Sequence, residues 1–260
     1  MLNLSILTKV FLRGLFLQAV WNFERMQNYG FLYAILPALR VIYKNDESKL
    51  KDAALRHLNF FNTHPYFAFP ILGASIKMEE DLVSDNIAES EDINLFKIGL
   101  MGSYGAIGDS FFWGGLKPFS AILSILIMVK YPLYAPFVLI LIYNLISIPF
   151  RIKSLGWGYI GGGYEAANKI MNLNLPKYSY RIKMASVSLL GIFLASFLHL
   201  NFNSSSPKEY IFIFMIFVSI FFLTYIIRKG LSVLILITGF LLGSLIYILI
   251  ANTPFLKGIV

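Results

Sequence analysis

The chain contains no cysteine in its 260 residues. Disulfides, thiolate nucleophiles and cysteine metal sites are therefore excluded. Charge is also scarce. Asp, Glu, Lys and Arg make up 14% of the residues, against about a quarter in an ordinary soluble domain. So few charges cannot cover a water-facing surface. Acidic residues almost vanish after residue 118, where only Glu165 and Glu209 remain. No GK[ST] follows a glycine-rich turn, so there is no P-loop. No pair of histidines has metal-ligand spacing. No repeat of fixed period is visible. Met1 to Lys9 lacks the basic, apolar, small-residue order of a cleaved signal peptide, so membrane targeting is expected to come from internal segments.

What is present is apolar surface. Apolar residues reach 57%, with 24 Phe and 15 Tyr, and a lipid-embedded protein is the simplest reading. Residues 1–118 carry 11 basic and 12 acidic side chains; residues 119–260 carry 11 and 2. The cations sit at the ends of apolar runs rather than in one cluster, which argues against nucleic-acid binding and for the positive-inside rule. On that rule, the basic segments 38–58 and 151–183 are expected in the cytoplasm and the C-terminus, near Lys257, outside. Residues 4–20 read as an amphipathic helix at a membrane surface, with Leu7, Phe11 and Leu15 at helical spacing. Residues 79–92, with half of all the acidic residues, read as a solvated loop between two units. Ala121 to Phe150, broken by Lys130, Pro132 and Pro136, reads as a hairpin or a kinked span. Three apolar stretches follow, near 184–202, 209–227 and 231–251. The expected fold is an all-α membrane protein: a multi-pass helical bundle with an amphipathic N-terminal helix and a Gly-rich, discontinuous helical segment. Two parts are expected: residues 1–118, an amphipathic or re-entrant helical part carrying the polar motifs, and residues 119–260, a transmembrane part with a basic cytoplasmic loop at 151–183.

Four stretches carry possible chemistry. In AVWNFERMQNYGF, residues 19–31, a helical period of ~100° per residue places Gln18, Trp21, Asn22, Glu24, Arg25, Asn28 and Tyr29 on one face. Amides and an indole on one face suit a sugar. They equally suit a polar contact between helices, or Trp21 as an interfacial anchor. In HLNFFNTHPYFAFPILG, residues 57–73, Asn62 or Thr63 can cap a helix whose first turn holds Pro65. His64 beside that cap suits a ligand contact or a local hydrogen bond, and His57 and His199 look isolated. In FKIGLMGSYGAIGDSFFWGGLKP, residues 96–118, Gly99, Gly102, Gly105 and Gly108 recur every third residue. Such glycines permit close helix packing or an unwound segment lining a cavity. Asp109 follows, either as a functional carboxylate at membrane depth or as the cap of a helix starting at Ser110. In LGWGYIGGGYEAA, residues 155–167, Gly161, Gly162 and Gly163 interrupt a helix, as a joint between moving units or an ordinary loop.

Taken together, these stretches resemble the IID component of the mannose/fructose/sorbose family of bacterial phosphotransferase systems. The carrying elements are Trp21-Asn22 with Glu24-Arg25-Met26-Gln27-Asn28, Phe60-Phe61-Asn62-Thr63-His64-Pro65, and Pro70-Ile71-Leu72-Gly73. Gly99-Leu100-Met101-Gly102, Gly108-Asp109-Ser110 and Phe112-Trp113-Gly114 complete the set. The resemblance covers residues 10–167 most clearly. The chain departs from the family at Ser103, Tyr104, Gly105 and Ala106, where the family reads Pro-Leu-Ala-Gly, and at Gly115 and Lys117, where Thr and Arg are usual.

The resemblance implies a subunit of the bacterial cytoplasmic membrane that works with a IIC membrane partner, in a higher oligomer of such pairs. Soluble IIA and IIB proteins would pass a phosphoryl group to the arriving hexose. The chain itself would translocate rather than catalyse, with no cofactor and no metal. Trp21, Asn22, Glu24, Gln27, Asn62, His64 and Asp109 would line the sugar path or the IIC contact. A scaffold subunit that never touches sugar, and a stand-alone secondary transporter, are the alternatives. The latter usually shows internal repeats and a coupling-ion site.

Overall fold

A computed structural model describes residues 2–84, 90–201 and 207–251. Among them, ten α-helices follow one another with no strand. The chain divides into two compact units, residues 1–195 and 196–260. The charge boundary at 118/119 falls inside a continuous helical rod and does not coincide with that division.

In the first unit, helix α1 spans Leu4–Gly14, and Asn3 caps it by accepting from the Ile6 amide. The amphipathic pattern reaches residue 20, but the helix ends earlier, in turns over residues 15–20. Helix α2 is Asn28–Ile42, and α3 is Glu47–His57, capped by Asp46 through the Lys49 amide. Helix α4 is Ala68–Ser84. Helix α5, Ser90–Gly108, runs into a π-helical segment, Asp109–Leu116, and on into α6, Lys117–Met128. A short 3-10 turn at Pro132–Tyr134 then leads to α7, Ala135–Asn172. Of the two forms expected for residues 121–150, the hairpin is therefore the one formed. Helix α8, Leu175–Asn201, begins in this unit.

The core is a layer of α2, α4 and α7 side chains, with Phe31, Ile35, Phe69, Leu72, Leu155 and Tyr159 buried, joined by Phe67 before α4 and Phe112 of the π-helical segment. Helices α4 and α7 cross where Gly73 meets Gly158. A Cβ on Gly73 would lie 2.2 Å from the Leu155 carbonyl oxygen, and one on Gly158 2.2 Å from that of Pro70. Only glycine at both positions lets the two backbones touch, the small-residue contact that membrane helices use in place of a hydrophobic drive.

Three expectations are corrected. Residues 19–31 do not form one helix: residues 20–27 are turn and bridge, and α2 starts at Asn28. The glycine-rich segment is not unwound. The helix passes through Ser103–Ala106, where no proline interrupts it, and widens to π geometry only from Asp109. Residues 151–183 are not a loop, because α7 and α8 are helical through them apart from a turn at 173–174. Helix α7 does leave helical geometry at Gly162, with φ 67° and ψ −170°, a conformation essentially restricted to glycine.

The second unit contains α9, Pro207–Arg228, and α10, Val233–Ala251. Helix α10 carries no charged residue. Their large apolar side chains are exposed around the helices, Phe240 at 75%. A helix apolar on every side is stable where its solvent is lipid. In the whole chain, two helical stretches are long and apolar enough to cross a membrane among the described residues, Ser90–Met128 and Pro132–Phe197. The expected position of the C-terminus lies outside the described residues.

Candidate functional site

The motif residues fall into a buried set and an exposed set. Gln27 is buried, and its side-chain amide pairs with the backbone of Thr63 in both directions, at 2.8 and 3.1 Å. The Gln27 amide N–H donates to the Phe61 carbonyl at 2.9 Å. Asn28 donates to the Leu58 carbonyl at 2.8 Å and accepts from Asn22 at 2.8 Å. The Asn22 carboxamide also accepts from the Arg25 N–H, an Asx-turn that competes with helix. Met26 sits at φ 57°, uncommon for a residue with a side chain; the reciprocal Asn22–Met26 backbone bonds hold it there. The loop at 20–27 is thus stitched to the loop at 58–64. Gly30 packs so closely on Leu17 that a Cβ would lie 1.9 Å from its carbonyl oxygen.

The same stitching turns other side chains outward. Trp21, Phe23, Glu24, Tyr29, Phe60 and Asn62 are exposed. Trp21 and Phe23 rings meet edge to face at 5.2 Å, and Arg25 reaches Glu24 at 3.3 Å.

Below this loop lies His64, 2% exposed. The helix expected to hold Pro65 in its first turn, which Asn62 or Thr63 would cap, starts only at Ala68, and His64 closes the turn before it. Its carbonyl accepts from Phe67 and Ala68, and its Nδ1 from the Tyr66 N–H at 3.3 Å. With Nδ1 accepting, a neutral ring carries its proton on Nε2, and that atom is buried without a partner. Burial, with Arg151 nearby, holds the His64 imidazole at about 4. The ring stacks on Phe112 at 5.3 Å and lies 4.8 Å from Trp113. Gly108 makes room for it, since a Cβ there would lie 2.4 Å from His64 carbon atoms. Gly105 faces Thr63 and His64 at 3.9 Å, whereas Gly99 and Gly102 face open space. Thr63 Oγ1 and the Tyr104 hydroxyl are also buried without partners. Buried polar atoms left unpaired are rare, and each needs an explanation.

Asp109 opens the π-helical segment and is exposed. It is an internal residue of a continuous helical rod, so it does not cap a helix at Ser110. The widened turn is held from α8: Ser179 Oγ donates to the Ser110 carbonyl at 2.8 Å, and Lys183 Nζ to Ser110 Oγ at 3.0 Å. π-bulges of this kind concentrate at functional sites. At Gly161–Gly163, the Phe96 ring of α5 occupies the space beside Gly163, and Glu165 pairs with Lys169.

Sequence reasoning missed the largest buried polar cluster. Glu79, the first acidic residue of the stretch read as a solvated loop, is 0% exposed within α4. Its carboxylate accepts from Tyr43 at 2.6 Å, from Arg56 at 2.8 and 2.9 Å, and from His57 Nε2 at 2.9 Å. Lys97 reaches His57 Nδ1 at 3.4 Å and lies 4.8 Å from the Phe31 ring centre. Burial alone would raise the Glu79 carboxyl, but the His57 and Arg56 hydrogen bonds outweigh it and bring it to about 2. Burial pulls His57 down to about 4, so it is a neutral bridge between Lys97 and Glu79. The sequence signal was there: Glu79 directly follows the mostly apolar run from Ala68 to Met78. His57 is therefore not isolated, while the His199 side chain and the acidic residues Asp85 and Glu89 lie outside the described residues. No group of three acidic or histidine residues is arranged to hold a metal among the described residues.

A helical membrane protein with a stitched N-terminal loop, a buried histidine and a π-helical turn is the class that fold and site define. The model of the PTS system mannose/fructose/sorbose family IID component matches residues 2–252. The chain is 33% identical over 192 residues to the mannose-specific EIID component of Escherichia coli, covering 74% of this chain and 68% of that one. It is 31% identical to the fructose permease IID component of Bacillus subtilis, covering 71% and 65%. Among solved structures it is similar to the mannose transporter ManYZ in complex with a microcin, with TM-score 0.60, 26% identity, and 94% and 96% of the two chains covered. A second membrane protein structure matches with TM-score 0.71 and 27% identity, over the same shares. The chain belongs to the IID component family and is a membrane subunit of a sugar phosphotransferase transporter.

Proposed function

We propose that the chain moves a hexose across the bacterial cytoplasmic membrane as a multi-pass subunit, together with a IIC-type partner. Soluble IIA and IIB proteins phosphorylate the sugar as it arrives, and the chain supplies translocation and coupling rather than phosphoryl-transfer chemistry. The observation that carries this reading is the division of the motif residues. Gln27, Asn28, Asn22 and His64 build the loop from within. Trp21, Glu24 and Asn62 are presented outward by it, and Asp109 is exposed on the neighbouring rod. An exposed aromatic and charged patch on a rigid loop suits a protein partner. Pairs of IIC and this chain assembling into a larger oligomer follow from the same reading. The basic residues support a cytoplasmic side for residues 38–58 and for the turn between α7 and α8, which Lys169, Lys177, Arg181 and Lys183 flank. Gly162 is the joint that lets one part move against another.

The His64 Nε2–H, Thr63 hydroxyl and Tyr104 hydroxyl have no partner among the described residues; they favour direct sugar contact over the scaffold reading if movement of one part against the other opens them to the path. Uptake of labelled mannose or fructose into cells expressing the IIC subunit alone, this chain alone, and both together tests the proposal. Uptake only with both is expected. Full uptake by IIC alone would leave the scaffold reading, and uptake by this chain alone would make it a self-sufficient transporter.

A further inference from the structure

Helix α1 packs on α2, and α7 packs on α4. Between α1 and α7 an apolar groove of about 610 Å³ remains, lined by Leu4, Leu7 and Phe11 on one side and Ile152, Leu155 and Ile160 on the other. Near it lies a second cavity of about 240 Å³, whose walls include Gln18, Tyr66, Trp113 and Arg151. The two are neighbours: Ile152 follows Arg151 in α7, and the Phe11 ring lies 5.5 Å from that of Phe69, which lines the second cavity.

Arg151 is the unexplained group there. Its guanidinium lies 3.9 Å from the centre of the Tyr66 ring. One of its nitrogens reaches Ser147 Oγ at 3.3 Å, and its Nε is buried without a partner. No carboxylate pairs with it among the described residues. A half-buried guanidinium that lines a cavity and has no carboxylate partner fits an anion with two or more acceptor oxygens. Gln18 adds a carboxamide, and Trp113 an indole of the kind that sits at headgroup level.

We propose that the cavity and the groove hold a membrane glycerophospholipid, its phosphate against Arg151 and one acyl chain along the groove between α1 and α7. A sugar would use Trp113 and Gln18 but leaves the adjoining apolar groove without purpose. Leu12 of α1 and Phe16 in the turn after it are exposed, which suits the bilayer from which such a lipid would enter. The lipid would wedge α1 against α7 and so tie the N-terminal loop to the long helix that bends at Gly162.

The test is native mass spectrometry of the chain purified in mild detergent with its IIC partner, delipidated and titrated with palmitoyl-oleoyl phosphatidylglycerol. Arg151→Gln removes the charge. Gly156→Phe fills the groove, because nothing lies within 4 Å of a Cβ at Gly156, and leaves Arg151 intact. Each variant is expected to lower lipid occupancy about tenfold in a lipid-free complex that is still folded and still holds IIC, and Arg151→Lys to restore part of it. Equal occupancy in the parent and both variants overturns the proposal. Displacement of the lipid by millimolar inorganic phosphate alone overturns it too, since the site would then be one for a free anion.

Discussion

Two regions of this chain solve the same problem in opposite ways. Helices α2 to α5 contain buried charge, and every charged group in the Glu79 cluster finds its partner within the chain. Helices α9 and α10 contain almost no charge and leave their apolar side chains outward. The first region is held by a specific polar network around a packed core. The second is held by its solvent. The comparison teaches where mutation should be felt: polar changes are severe inside the first region, and mild on its outward motif face as far as folding is concerned.

The largest effect is expected at Glu79. Glu79→Gln leaves Arg56 and Lys97 without a buried countercharge, and breaking such a group costs about 3–5 kcal/mol. The variant should fail to give folded protein in detergent or melt far below the parent, as read by size exclusion and a thermal melt. A Glu79→Gln protein with a parental melt would show that the cluster is not what holds the first region.

The same cluster makes that region acid-sensitive. His57 is held near 4 in the folded state against an ordinary 6.5. A depressed folded-state value means that the unfolded chain takes up the proton first. Its stabilising contribution is complete above pH 6.5 and is lost as pH falls towards 4. Glu79, lowered from 4.5 to about 2, adds a second loss below pH 4.5. Hydrogen-exchange protection in α3 and α4, corrected for the intrinsic pH dependence of amide exchange, should therefore fall between pH 6.5 and 4 while protection in α10 barely changes, and an equal loss in both would erase the contrast.

A smaller effect is expected at the glycine crossing. Gly158→Leu forces α7 away from Pro70 and should cost about 1–3 kcal/mol by overpacking. Gly239→Leu, with nothing within 4 Å of a Cβ in α10, should be nearly silent. Comparable losses of melting temperature in the two variants would contradict a lipid-facing α10. For transport, if Asp109 meets the sugar as proposed, Asp109→Asn would remove a charge-assisted hydrogen bond, and uptake should fall by roughly tenfold, at ~1.4 kcal/mol per decade. Protein level and IIC co-purification should hold; normal uptake would remove Asp109 from the path.

The fold class, the apolar helices near 184–202, 209–227 and 231–251, and the turn near Lys130 were legible because apolar run length and proline are local signals. The hairpin and the helix break at Gly162 follow from residues that act alone. The loop at 20–27 was illegible as a loop. Its polar residues have helical spacing, but Asn22 and Asn28 bond each other and Gln27 bonds Thr63, far away in sequence. The π-helical turn depends on Ser179 and Lys183 of α8, so nothing within residues 109–116 announces it. Glu79 was misjudged because six further acidic residues follow it before residue 93, and a charge run reads as solvated unless its apolar flank is weighed.

The central claim is that the motif residues divide into those that build the loop and those that meet a partner. It is tested most directly by co-purification with the IIC subunit, alongside thermal melts, for Gln27→Ala and for a Trp21→Ala, Glu24→Gln double variant. Gln27→Ala leaves buried Thr63 backbone groups unpaired, at about 1–3 kcal/mol, and should lower the melting temperature of the chain. The double variant should keep the parental melt and lose most of the co-purifying IIC. A double variant that retains IIC in full, or one that melts as early as Gln27→Ala, would contradict the division.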